Sequence, residues 1–206
     1  MSDDGPAIDR RDLLSGVASV AAASLAPVFP TSAGVARGAL GAAPNGVHVS
    51  YGPNPQGALR FGWTAGVSTD ARVEYGRDSP DESVSANATP LPGEDIVAYD
   101  AEVTGLDPGT EYRYRVVVGE ASSKTFTVKT APTPETTDFR ATMVGDHGIA
   151  DDRNPGQRAD DDTPVQVIDR AMAADPAVHL GVGDLAYANG FPPTWDAYFR
   201  AFEDFY

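Results

Sequence analysis

The chain has no cysteine. Disulfides, zinc–thiolate sites, a cysteine nucleophile and a cysteine-borne lipid anchor are therefore excluded. Lysine is nearly absent: 13 Arg and 2 Lys face 22 Asp and 8 Glu. The formal net charge of -15 gives a surface that repels nucleic acid and anionic lipid, so no nucleic-acid partner is expected. Histidine occurs only three times. No apolar stretch reaches the roughly 20 residues that a spanning helix needs, and no stable membrane anchor is expected.

What is present falls into segments of different grammar. The acids are spread along the chain rather than gathered in a tail, which predicts a solvated, halophilic kind of surface. Near the start, Arg10 and Arg11 precede an apolar run from Leu13 to Val28. That run fits the hydrophobic region of an export signal, and the paired arginines resemble the twin-arginine type. Residues 1–45 are thus read as signal and linker, and the protein as exported, at the cell surface or outside the cell.

From Val47 the pattern becomes period two. "VHVSYG", "ALRFGWTAG", "ARVEYGR", "DIVAYDAEVTGL", "EYRYRVVVG" and "SKTFTVKT" are short runs rich in Val, Tyr, Thr and Phe, separated by Gly, Pro, Asp and Asn. Strands at this spacing predict an all-β antiparallel sandwich over 46–130. In "EYRYRVVV", Tyr112, Tyr114 and Val116 share one face while Arg113 and Arg115 share the other, as one buried and one wet face require. "GLDPGTEY" resembles the fibronectin type III family at Leu106, Pro108, Gly109, Thr110 and Tyr112. The resemblance implies that Tyr112 bonds back to upstream backbone and that Trp63 is the core indole. Asn87-Ala88-Thr89 forms a glycosylation sequon, expected in a loop.

"TAPTPETTD" reads as a linker at 131–138. After it, "FRATMVGDHG" is a strand ending in Gly-Asp, "TPVQVIDRAMAAD" a helix with Val165, Ile168, Ala171 and Met172 on one stripe, and "AVHLGVGDLAY" a second strand ending in Gly-Asp. Strand, helix, strand at this length implies parallel strands. Their C-terminal ends then meet at one sheet edge, where ligands bind in open α/β sheets. Asp146 and Asp184 lie at equivalent strand ends. If the two strands are neighbours, the carboxylates could face one point; two so close would repel, and a multivalent cation would relieve the repulsion. In the next segment Trp195, Tyr198, Phe199 and Phe202 fall at helical spacing, a core stripe.

These motifs resemble those of the purple acid phosphatases, a branch of the binuclear metallophosphoesterases. Gly145, Asp146 and Gly148 match Gly-Asp-x-Gly, and Gly183, Asp184 and Tyr187 match Gly-Asp-x-x-Tyr. The wider metallophosphoesterases carry Asp-x-His first, where this chain has Gly148. An N-terminal sandwich before the phosphoesterase sheet also fits the larger members. The expected fold is therefore a fibronectin type III-like sandwich followed by a partial α/β metallophosphoesterase domain over 139–206. The resemblance implies hydrolysis of phosphate esters at a binuclear centre of Fe(3+) with a second divalent metal, Zn, Mn or Fe. Asp146 would bind iron, Asp184 would bridge both metals, and Tyr187 would bind iron as a phenolate. His147 is a candidate for touching substrate or supporting a ligand, with an ordinary loop residue as the other reading. His179 reads as a core histidine, His48 as part of the sandwich, and the run Ala159 to Asp162 as a solvated loop.

Of the family's later motifs, Gly-Asn-His-Asp/Glu and Gly-His-x-His do not occur in these 206 residues, and Val-x-x-His occurs only as Val144 to His147, inside the first motif itself. The second metal site is accordingly incomplete in this chain, and a separately encoded C-terminal half is an expected partner alongside the phosphate ester. The chain alone is expected to be inactive. The alternative left open is an exported, non-enzymatic fibronectin-type binding module with a degenerate phosphoesterase remnant.

Overall fold

The computed structural model describes residues 41–148 and 163–206. The export segment and the acidic run Ala159 to Asp162 lie outside the described residues. Residues 45–129 form two antiparallel sheets. One holds β1 (Asn45–Tyr51), β2 (Ala58–Ala65), β6 (Val97–Thr104) and β5 (Asn87–Pro90), in that order across the sheet. The other holds β4 (Glu82–Ser85), β3 (Ala71–Gly76) and β7 (Glu111–Val118); the far edge of β7 is shared by β8 (Ala121–Ser122) and β9 (Phe126–Lys129).

The alternation read from "EYRYRVVV" is the alternation observed: Tyr112, Tyr114 and Val116 are buried, while Arg113 is exposed and Arg115 half-buried. Between the sheets, Trp63 is 1% exposed and stacks on Tyr99 with centroids 5.5 Å apart. Phe61 tilts against Tyr114 at 4.8 Å. Aromatic pairs of this kind add about 0.5–1.5 kcal/mol beyond the area they bury. The Tyr112 hydroxyl accepts the Asp107 N–H at 3.0 Å, which closes the corner ahead of β7. One expectation needs correction. The sequon Asn87-Ala88-Thr89 is in edge strand β5, not in a loop. All four β5 residues are exposed, so backbone pairing to β6 makes the strand and no apolar pattern marks it.

The second part is small. β10 (Ala141–Val144) and β11 (Val178–Gly181) are parallel, with Val144 opposite Gly181. Helix α1 (Thr163–Met172) packs on β10 through the expected stripe, with Ile168 fully buried. Helix α2 (Pro192–Ala201) brings Tyr198 into the same core as Ile168, Ala186, Ala188 and Phe202. The other face of the strand pair is open: Phe139, Met143, Leu180 and Val182 are exposed, Met143 by 64%. No helix among the described residues is long and apolar enough to cross a membrane.

The described residues belong to one unit, Ser32–Tyr206, and a seam joins its two parts. Strand β1 is the edge of its sheet, so alternate N–H groups face away from β2 and need acceptors. Val49 N–H bonds the Tyr206 carbonyl at 2.5 Å, and Val47 N–H reaches Glu203 Oε2 at 3.3 Å. His48 stacks on Phe199 at 3.8 Å. Asp196, 6% exposed, accepts from both Thr64 and Arg200.

Candidate metal centre

The ladder between β10 and β11 continues past both strands. Val182 N–H bonds the Val144 carbonyl at 3.0 Å, and Asp146 N–H bonds the Gly183 carbonyl at 3.1 Å. The two Gly-Asp pairs are thereby held side by side at the C-terminal edge, as the crossover argument requires. Both loops then turn sharply. Asp146 has φ 55, Asp184 φ 48, Tyr187 φ 52 and Asn189 φ 49. Among the described non-glycine residues only Asp175 also has positive φ. Left-handed backbone is tolerable for Asp and Asn but unusual for Tyr, and such outliers gather where function over-determines the backbone. Gly183, at φ 108, takes a conformation that side chains rarely adopt.

Those turns bring the loops into contact. The Tyr187 hydroxyl donates to Asp146 Oδ1. The Tyr187 ring lies directly over Gly148: a Cβ there would overlap the ring and stand 2.7 Å from the Leu185 carbonyl oxygen. This is a physical reason for glycine two residues past Asp146. The Tyr187 phenol is pushed up to about 12, first by its hydrogen bond to Asp146, then by desolvation and by the charges of Asp146 and Asp184. Asp184 is exposed beside them.

No group of three or more His, Cys, Asp or Glu among the described residues is placed to hold a metal. What the loops offer instead is two carboxylates and a phenol, oxygen donors throughout, at a rigid sheet edge. That set suits a hard, highly charged cation. The surroundings of Tyr187 are anionic and hold it as the phenol; a cation placed there would oppose that shift and favour the phenolate.

The histidines lie elsewhere. His147, 2% exposed, turns away from the carboxylates. Its Nε2 is 2.7 Å from the Tyr198 hydroxyl and 2.9 Å from that of Tyr206. Burial, then the neighbouring His179, pushes its pKa down. Sequence reasoning missed this cage; the aromatic spacing from Trp195 to Phe202 was the available signal. His179 is half-buried, with Nδ1 at 2.8 Å from Thr142 Oγ1. His48 lies in the sandwich, at the seam with α2.

Residues 44–130 match the family described as the purple acid phosphatase N-terminal domain. The chain is 27% identical over 164 residues to "Probable purple acid phosphatase 20" of Arabidopsis thaliana, covering 76% of this chain and 34% of that protein. It thus spans about a third of the length of that curated relative. Among solved structures, PhoD aligns at TM-score 0.36 and 18% identity, over 60% of this chain and 25% of that one. The fn3 domain of human collagen alpha-1(XX) aligns at 0.29 and 23%, over 54% and 95%. Neither score reaches 0.5, so the sandwich assignment rests on the strand order and on the family match. Residues 44–130 thus match the purple acid phosphatase N-terminal domain, and the chain is similar over three quarters of its length to a purple acid phosphatase.

Proposed function

We propose that residues 139–206 supply the iron side of a phosphoric ester hydrolase site of the purple acid phosphatase type. The observation that carries this reading is the contact of the Tyr187 phenol with the Asp146 carboxylate across two adjacent Gly-Asp loops. Asp146 and Tyr187 would hold Fe(3+), and Asp184 would serve both it and a second divalent metal. A bound metal pair supplies charge neutralisation on a phosphoryl oxygen and a nucleophile at neutral pH.

This chain's own residues do the holding. The Asp146 N–H bond to Gly183 fixes the spacing of the two loops. Gly148 leaves the space that the Tyr187 ring needs. Tyr187 keeps its proton at neutral pH, held by its hydrogen bond to Asp146; a bound cation would favour the phenolate. The N-terminal sandwich braces α2 through β1. Export by the twin-arginine route, which carries folded and metal-loaded proteins, and a halophilic surface belong to the same reading.

The test is ferric iron added to the chain in high salt, followed by visible absorption. The expected result is a broad tyrosinate-to-iron band that disappears in Tyr187→Phe and in Asp146→Ala. Absence of any band in a folded protein would defeat the iron reading and favour a sandwich acting as a binding module.

A further inference from the structure

We propose that His147 is a positioning residue that ties the metal ligand Asp146 to the edge strand of the sandwich; the proposal rests on the reading of Asp146 as a ligand. Three consecutive residues face two ways. Asp146 bonds Gly183 through its N–H and Tyr187 through its carboxylate, and Gly148 lies under the Tyr187 ring. His147, between them, points down into a cage. Its ring meets Phe202 edge-on at 5.5 Å and Tyr198 at 5.7 Å, while Nε2 lies within hydrogen-bond distance of both tyrosine hydroxyls.

The cage is anchored to the sandwich. Tyr206 contacts His147 through its hydroxyl and accepts the Val49 N–H through its carbonyl. Two hydrogen bonds and one residue therefore separate β1 from His147, and one peptide link separates His147 from Asp146. A phenylalanine would fill the cage equally well. The imidazole adds a closer partner for two hydroxyls that otherwise have only each other, at 3.3 Å, in a largely apolar core. Asp146 stands at φ 55, a conformation that persists only where the surroundings over-determine it. Its contacts above and the His147 anchor below are those surroundings. A ligand oxygen has to be held within about 0.5 Å, so loss of the anchor should be felt at the metal.

The experiment uses the 206-residue chain with His147→Phe, His147→Gln and Tyr206→Phe. Amide hydrogen exchange at Asp146 is read by NMR without metal, and ferric iron uptake is read from the visible band. For His147→Phe the expected result is at least tenfold faster exchange at Asp146 and at least tenfold weaker iron uptake, with sandwich amides such as Tyr99 unchanged. His147→Gln, whose amide reaches the same hydroxyls, should recover most of both. If His147→Phe does not fold, Tyr206→Phe is scored in its place, with the same signs. A folded His147→Phe with wild-type exchange at Asp146, or a glutamine variant no better than phenylalanine, overturns the proposal. Wild-type protein that takes up no iron defeats the metal reading instead, and the exchange data alone then judge the anchor.

Discussion

The Tyr187 hydroxyl donates a hydrogen bond to the carboxylate of Asp146, joining the loop after β11 to the loop after β10. With that bond and the nearby carboxylate charges, Tyr187 titrates at about 12, above the ordinary tyrosine value of about 10. The raised value fixes the sign of the pH dependence. The contribution of the bond to stability is complete below about pH 10 and is lost as pH rises through about 12. In Asp146→Ala the Tyr187 titration should move down toward the ordinary value. The check is the NMR shift of labelled tyrosine against pH, with Tyr187→Phe identifying the signal.

Gly148→Ala should separate the two loops. The new methyl overlaps the Tyr187 ring and presses on the Leu185 carbonyl, which is backbone and cannot swing aside. Overpacking of this kind costs about 1–3 kcal/mol, and here it also removes the Tyr187–Asp146 bond. Thermal unfolding should show the loss, and the Tyr187 titration should fall as it does in Asp146→Ala.

Acid should loosen the protein before its carboxylates titrate. His48, His147 and His179 are each pushed below the ordinary histidine value chiefly by burial. Groups shifted this way contribute stability that is present above about pH 6.5 and is lost as pH falls through their folded values. The urea midpoint should therefore drop between pH 7.5 and pH 5. His48→Phe, which keeps a ring against Phe199, should flatten part of that drop. A midpoint constant over this range would contradict the argument.

Salt should stabilise the fold. A net charge of -15 repels itself, and screening shortens the reach of that repulsion from about 10 Å at 0.1 M to about 3 Å at 1 M ionic strength. The unfolding temperature should rise over that range. A fall would mean that surface ion pairs such as Arg60–Glu102 matter more than the net charge.

Much of the sandwich was legible because burial leaves a period-two mark. Trp63, Tyr112 and the alternating β7 fall where the pattern puts them. Strands β4 and β5 were not legible, since "ESVS" and "NATP" are mostly exposed and held by backbone pairing to their neighbours. At the candidate site, the strand-helix-strand order was enough to put Asp146 and Asp184 at the same end of two parallel strands, while the direct pairing of those strands needed the structure. The reason for Gly148, which is the ring of Tyr187 above it, needed three dimensions. So did the burial of His147, whose hydroxyl partners lie 51 and 59 positions away in sequence. Hydrogen bonds at that separation leave no periodic trace.

The most direct measurement is a crystal structure of the chain soaked with ferric iron, with anomalous data collected at the iron edge. The account predicts one iron peak at the C-terminal edge of β10 and β11, bound by oxygens of Asp146, Asp184 and Tyr187, with the Tyr187–Asp146 hydrogen bond replaced. An empty edge with that hydrogen bond intact, or iron bound only at other carboxylates, would contradict it.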